Sequence, residues 1–201
     1  MSNFILSNSI YLSTSIFVDR YEMKGITNVI EMIKCTTALK SLYEVNAGGS
    51  SEISEALSMN YFNDLYGIND FILEMDVKYD VFHCSMCDFV MGTDNNRIGV
   101  SVTRALNFHD KYNYTVEDAE RLLRKKLFGL IVARSGISKL HNFDKCILHI
   151  WCINEAAAMS LHDAYNNIIS ETNITNNDDG INDVVVIITV CDNDSIYTNR
   201  C

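Results

Sequence analysis

From Ser51 to Tyr66 the chain repeats with a helical period: Glu55, Met59, Phe62 and Tyr66 fall at i, i+4, i+7 and i+11 and share one face. Gly67 closes that run. Phe71 to Tyr79 then alternates, with Phe71, Leu73, Met75 and Val77 on one side and Ile72, Glu74, Asp76 and Lys78 on the other, the pattern of a half-buried strand. A second short strand is predicted over residues 86–91. The cluster Gly92-Thr93-Asp94-Asn95-Asn96 makes a turn, and a third strand is predicted over 97–105. Thr115-Val116-Glu117-Asp118 caps a long helix whose apolar stripe is Val116, Ala119, Leu123, Leu127, Leu130 and Ile131, ending at Gly136. Lys145 to Cys152 reads as a strand, Glu155 to Ile169 as a helix opened by Asn154, and the β-branched run from Val184 to Cys191 as a buried strand. Between the last two, Glu171 to Asp183 reads as a polar loop.

Ahead of this series, residues 4–18 mix apolar and hydroxyl side chains without a helical period, and residues 28–42 carry Val29, Ile30, Ile33, Leu39 and Leu42 at roughly helical spacing. A strand or arm followed by a helix is expected there. Ala47-Gly48-Gly49-Ser50-Ser51 breaks the pattern. The expected organisation is an N-terminal extension over 1–47 and a core over 48–201. Helix, three strands, helix, strand, helix, strand implies an α/β fold with a mixed β-sheet flanked by helices.

The 201 residues carry a net charge of −10 and are 48% hydrophobic and 21% charged, the balance of a globular protein. That charge excludes a general basic surface for nucleic acid, so any such contact is local. A carboxylate site with a divalent cation is compatible with it, because the ion supplies positive charge where it is needed. Seven scattered cysteines, an odd number, do not form the framework of a small secreted domain and point to a reducing, intracellular setting, cytoplasmic or nuclear. No apolar run is long enough to span a bilayer, so no membrane partner is expected. Proline is absent, so turns are read from Gly, Asn and Asp.

The element order after Ser51 resembles the PD-(D/E)XK, or restriction-endonuclease-like, superfamily over roughly the last three quarters of the chain. The blocks IGVSVTRA and KKLFGLIVAR are also similar to uncharacterised protist proteins, which implies no activity. The superfamily resemblance implies an acid on the first helix, an Asp on the second strand and an acid-x-Lys on the third, holding Mg2+ or Mn2+ beside a phosphodiester. The matching positions are Glu55 and Asp88. The third strand departs from the pattern, with Ser101 and Thr103 standing where the acid and the Lys would be. Migration of function would supply the lost groups: Glu74 and Asp76 as further metal ligands, and Lys126 or Arg104 as the positive charge. Lys126 falls within the apolar stripe of the long helix, about 50° from its centre.

Each residue has a plainer reading. Asp88 after an apolar strand suits a turn or cap, Glu55 suits the first turn of a helix, and Glu74 and Asp76 suit a solvated strand face. Lys126 can extend its stem to solvent. Arg121, Arg124 and Lys125 suit a solvated helix face. Cys84-Ser85-Met86-Cys87 lacks a second pair, so no zinc is expected, and His149 in an apolar strand suits a hydrogen-bonded core histidine.

Three functions remain in play: a metal-dependent nuclease-like protein acting on nucleic-acid phosphodiesters, a nuclease fold without catalysis serving as a binding or scaffold module, and an enzyme of another class. A homodimer or a protein partner is compatible with each.

Overall fold

In the computed structural model, residues 15–23, 29–44, 51–92, 96–107, 110–175 and 180–198 are described. Residues 93–95 of the expected turn over 92–96 and residues 47–50 of the expected joint over 47–51 lie outside them, as do residues 4–14 of the expected N-terminal arm.

Six strands form one mixed sheet: β1 Ser15–Arg20, β2 Phe71–Leu73, β3 Phe89–Met91, β4 Ile98–Ala105, β5 Lys145–Cys152 and β6 Val184–Val190, in the order β1-β6-β5-β4-β3-β2. β2, β3 and β4 are an antiparallel meander, whereas β4, β5, β6 and β1 run parallel. The helices are α1 Thr36–Ser41, α2 Glu52–Tyr66, α3 Val116–Gly136, α4 Glu155–Thr175 and α5 Asp194–Thr198.

Alternation along the strands feeds two cores. Leu148, Ile150, Val186 and Ile188 pack with Leu123, Leu127, Leu161 and Ile168 of α3 and α4. Ile147, Trp151, Val185 and Ile187 pack with Ala38, Leu57, Phe62 and Ile196 of α1, α2 and α5. Helices thus cover both faces, and β5 and β6 are buried on both sides, as their near-continuous apolar runs require. The segment before residue 47 joins this body: β1 pairs with β6 at the sheet edge, and the α1 residue Ala38 shares the second core. The start of α3 follows from its sequence. Thr115 Oγ1 accepts from the Asp118 N–H and Asp118 reaches back to the Thr115 N–H, a reciprocal cap.

Four elements differ from expectation. The strand expected over 86–91 is confined to Phe89–Met91, and the helix expected over 28–42 is a 3-10 turn at Val29–Met32 followed by the short α1. The strand expected over 71–79 stops at Leu73, and Glu74–Asp76 winds into a 3-10 turn closed by the Val77 N–H on Leu73. Only three residues of β3 are in place to pair with β2, so the chain beyond Leu73 has no ladder to continue. The helix expected to end at Ile169 runs on to Thr175. Arg124 of α3 pairs with Glu171 at 2.6 Å, and Thr172 bonds back to Ile168, so residues expected in a polar loop add turns to α4.

The six described cysteines are free thiols, five of them buried. His149 is fully buried against Tyr61, Phe62 and Trp151, with Nε2 2.9 Å from Thr189 Oγ1. Among the described residues, no helix is long and apolar enough to cross a membrane.

Candidate functional site

Asp88 stands where β3 parts from β4. Its own N–H donates to the Val100 carbonyl at 2.9 Å, and the ladder ends at Phe89–Val100. Backbone groups of alternate residues turn toward the same neighbouring strand, so Val102, like Val100, turns its N–H and carbonyl toward the side β3 has left. Both are satisfied by side chains. Asp88 Oδ2 accepts from the Val102 N–H at 2.6 Å, and Lys126 Nζ, reaching in from α3, donates to the Val102 carbonyl at 3.2 Å. Ser101 Oγ adds a hydrogen bond to the same Asp88 oxygen at 2.9 Å. The residue before Asp88 is fixed as well, since Tyr79 Oη accepts from the Cys87 N–H at 2.9 Å.

Burial pushes the Asp88 carboxyl above the usual carboxylate range, against the opposing pull of Lys126, the Val102 N–H and Ser101. Glu55, in the first turn of α2, is pushed up to about 7 by burial first and by the charge of Asp88 next, with Glu74 and Glu52 adding smaller contributions. A hydrogen bond from Ser51 Oγ to Glu55 works the other way. Glu55, Glu74 and Asp88 line one small cavity, together with Glu44. Acids of α2, the turn after β2 and the start of β3 therefore line one space.

Asp76 does not join them. A 3-10 turn advances about 120° per residue, so Glu74 and Asp76 no longer share the face that a strand would give them. Asp76 is exposed, and its charge is felt by Lys40. Arg104 lies near the end of β4, donates Nη1 to the Ile196 carbonyl at 3.1 Å, and stands in the field of Glu52 and Glu55. Lys126 thus serves Asp88, and Arg104 serves the α2 acids from another direction.

By donor type, Glu55, Glu74 and Asp88 suit a hard divalent cation, which takes oxygen ligands. Among the described residues, however, no three His, Cys, Asp or Glu side chains are grouped closely enough to hold a metal ion together. Ion binding at this cluster therefore requires side-chain rearrangement. Two contributors escaped the sequence. Glu44 follows a short helix with no chemical pattern, and the Val102 peptide is a backbone group with no signature in residue type. The signal available for Ser101 was its place opposite Asp88 in an antiparallel pair.

No protein-family profile matches the chain, and no solved structure matches it. Over 149 residues it is 32% identical to a Dictyostelium discoideum protein described as the AAC-rich mRNA clone AAC4 protein, an alignment covering 71% of this chain. The match takes in 21% of that protein, so the chain spans about a fifth of the length of the curated relative it matches.

Proposed function

We propose that the chain is a divergent metal-dependent nuclease-like protein, built on a restriction-endonuclease-like core and acting on nucleic-acid phosphodiesters. The observation that carries this reading is that Glu55, Glu74 and Asp88 line one cavity, with Lys126 beside Asp88. It is supported by the succession of helix, antiparallel meander, crossover helix and parallel strand through α2, β2, β3, β4, α3 and β5.

Glu55, Glu74 and Asp88 would hold Mg2+ or Mn2+, which when bound supplies positive charge to a phosphate and acidifies water. The chain's own groups do the rest. Glu55, at about 7, holds or releases a proton near neutrality and can pass one to or from a solvent molecule at its carboxyl. Lys126 keeps a cation next to Asp88, in the role that a Lys at Thr103 would have played.

The test is cleavage of labelled single- and double-stranded DNA and RNA with Mn2+, comparing wild type with Asp88→Asn. Asn keeps an oxygen for Ser101 and Val102 but removes the charge. Cleavage by wild type, lost in Asp88→Asn, supports the reading. Absence of cleavage in wild type, or equal cleavage in both proteins, rejects it.

A second reading, a nuclease fold without catalysis acting as a binding or scaffold module, is favoured by a different observation. Asp88 Oδ2 and Lys126 Nζ both bond to the Val102 backbone, which gives each residue an architectural use.

A further inference from the structure

We infer that the cleft between the end of β4 and the first turns of α3 binds the phosphates of a nucleic-acid strand and does so without a divalent cation. The inference rests on the nucleic-acid part of the reading above and deepens it.

The cavity has a volume of about 580 Å³ and is lined by Arg104, Arg121, Lys125 and Lys126 against a single acid, Asp118. On a chain with 16 basic and 26 acidic residues, four cations converging on one cleft is a local reversal of sign. Asp118 offsets one of the four through its ion pair with Arg121, which leaves the cleft an excess of three cations. The contrast with the cavity at the ends of β1, β5 and β6 is informative. That space, about 660 Å³, has Arg20 paired with Glu155 and two further acids, Glu22 and Asp192, on its walls. An anion has reason to enter the first cavity and none to enter the second.

A separate observation points to a ligand in the same place. Tyr114 lines the cationic cleft and is 8% exposed, and its hydroxyl is buried without a hydrogen-bond partner among the described residues. Such a donor is costly unless something accepts from it. A phosphate oxygen is an acceptor of the right kind once the hydroxyl turns toward the cleft, from which it is closed off in this structure. The cleft also adjoins the carboxylate cluster: Ser51 lines it and donates to Glu55, while Lys126 lines it and faces Asp88. A strand held here by its phosphates would run past the acids.

The test is fluorescence anisotropy of short labelled single-stranded DNA and RNA with EDTA present, so that binding is read apart from any metal and any cleavage. Arg121→Glu with Lys125→Glu is compared with Lys78→Glu and Lys139→Glu, which change the net charge equally at exposed positions outside the cleft lining. Salt-dependent binding by wild type is expected, weakened roughly tenfold with a shallower salt slope in the cleft variant, and retained in the control variant. No binding by wild type, equal loss in both variants, or equally tight binding of polyglutamate would overturn the inference. If cleavage is never seen and the cleft variant alone loses binding, the catalytic reading falls and this one stands.

Discussion

Asp88 and Lys126 hold the two backbone polar groups of one residue, Val102. The Asp88 carboxylate takes the N–H of Val102 at 2.6 Å, and the Lys126 ammonium gives to the carbonyl of the same residue at 3.2 Å. β3 would otherwise have supplied both partners, and its early departure creates the need. The two side chains therefore complete a sheet edge while standing beside the carboxylate cavity at Glu55. Any test of chemistry at this place has to separate charge from architecture.

That separation sets the first prediction. Asp88→Ala leaves the Val102 N–H and the Ser101 hydroxyl without their acceptor, at a cost of about 1–3 kcal/mol. Asp88→Asn retains an acceptor oxygen and is expected to cost within about 1 kcal/mol. Urea denaturation of the two variants measures the difference, and equal destabilisation would show that the hydrogen bonds to Val102 and Ser101 contribute nothing of their own.

His149 gives a pH dependence of known sign. Burial pushes its imidazole down to about 3, so the folded protein stays neutral there while the unfolded chain takes up a proton near the ordinary imidazole value. Protonation of the unfolded state lowers stability as pH falls from about 6.5 toward 3, by about 1.4 kcal/mol per pH unit in the middle of that window, with no effect above it. His149→Phe suits the ring cluster of Tyr61, Phe62 and Trp151 and should flatten this limb of the stability profile. A variant with the same acid limb as wild type would remove His149 as its cause.

These residues also show what the sequence could and could not reveal. Long periodic runs declared themselves: the reciprocal cap at Thr115 and Asp118 and the stripe through Leu123, Leu127 and Leu130 are local, so α3 was legible from residue types alone. β2 and β3 were not, because a strand's length depends on its partner. The alternation of Phe71 to Tyr79 was real, yet β3 offered three residues to pair with, and Glu74–Asp76 wound into a turn that parted two acids expected on one face. Glu55, Asp88 and Lys126 were singled out by position and charge and do lie near one another. What bound Asp88 and Lys126 together was the backbone of Val102, and no sequence pattern marks a backbone group.

Glu55 provides a second pH dependence, of opposite sign. Its folded value, about 7, lies above the ordinary 4.5, so its contribution to stability is complete below 4.5 and is lost as pH rises through 7. Glu55→Gln cannot ionise and keeps an oxygen for Ser51. It should be more stable than wild type above pH 7 by about 1–3 kcal/mol and close to wild type near pH 4, as read by thermal melts across pH. The proton on Glu55 also competes with any cation there, so Mn2+ should raise the wild-type Tm more at pH 8 than at pH 6, and Glu55→Gln should abolish that difference. An identical Mn2+ response at both pH values would separate Glu55 from cation binding.

The last prediction concerns where the positive charge sits. Thr103 lies two residues beyond Ser101 on β4, on the same side of the sheet, and lines the same cleft as Lys126. On the nuclease reading, the ammonium matters for its place beside Asp88, and the helix from which it comes does not. Lys126→Met should then abolish Mn2+-dependent cleavage, and adding Thr103→Lys to that variant should restore a substantial part of it. Stability reads the architectural alternative independently. Lys126→Met leaves the Val102 carbonyl without this partner and raises the Asp88 carboxyl further, and a Lys at 103 reverses the second effect when its ammonium reaches the Asp88 carboxylate. Restored stability without any cleavage in wild type or variant would assign Lys126 to the sheet edge alone, whereas cleavage that survives Lys126→Met would show that the charge beside Asp88 has no part in the reaction.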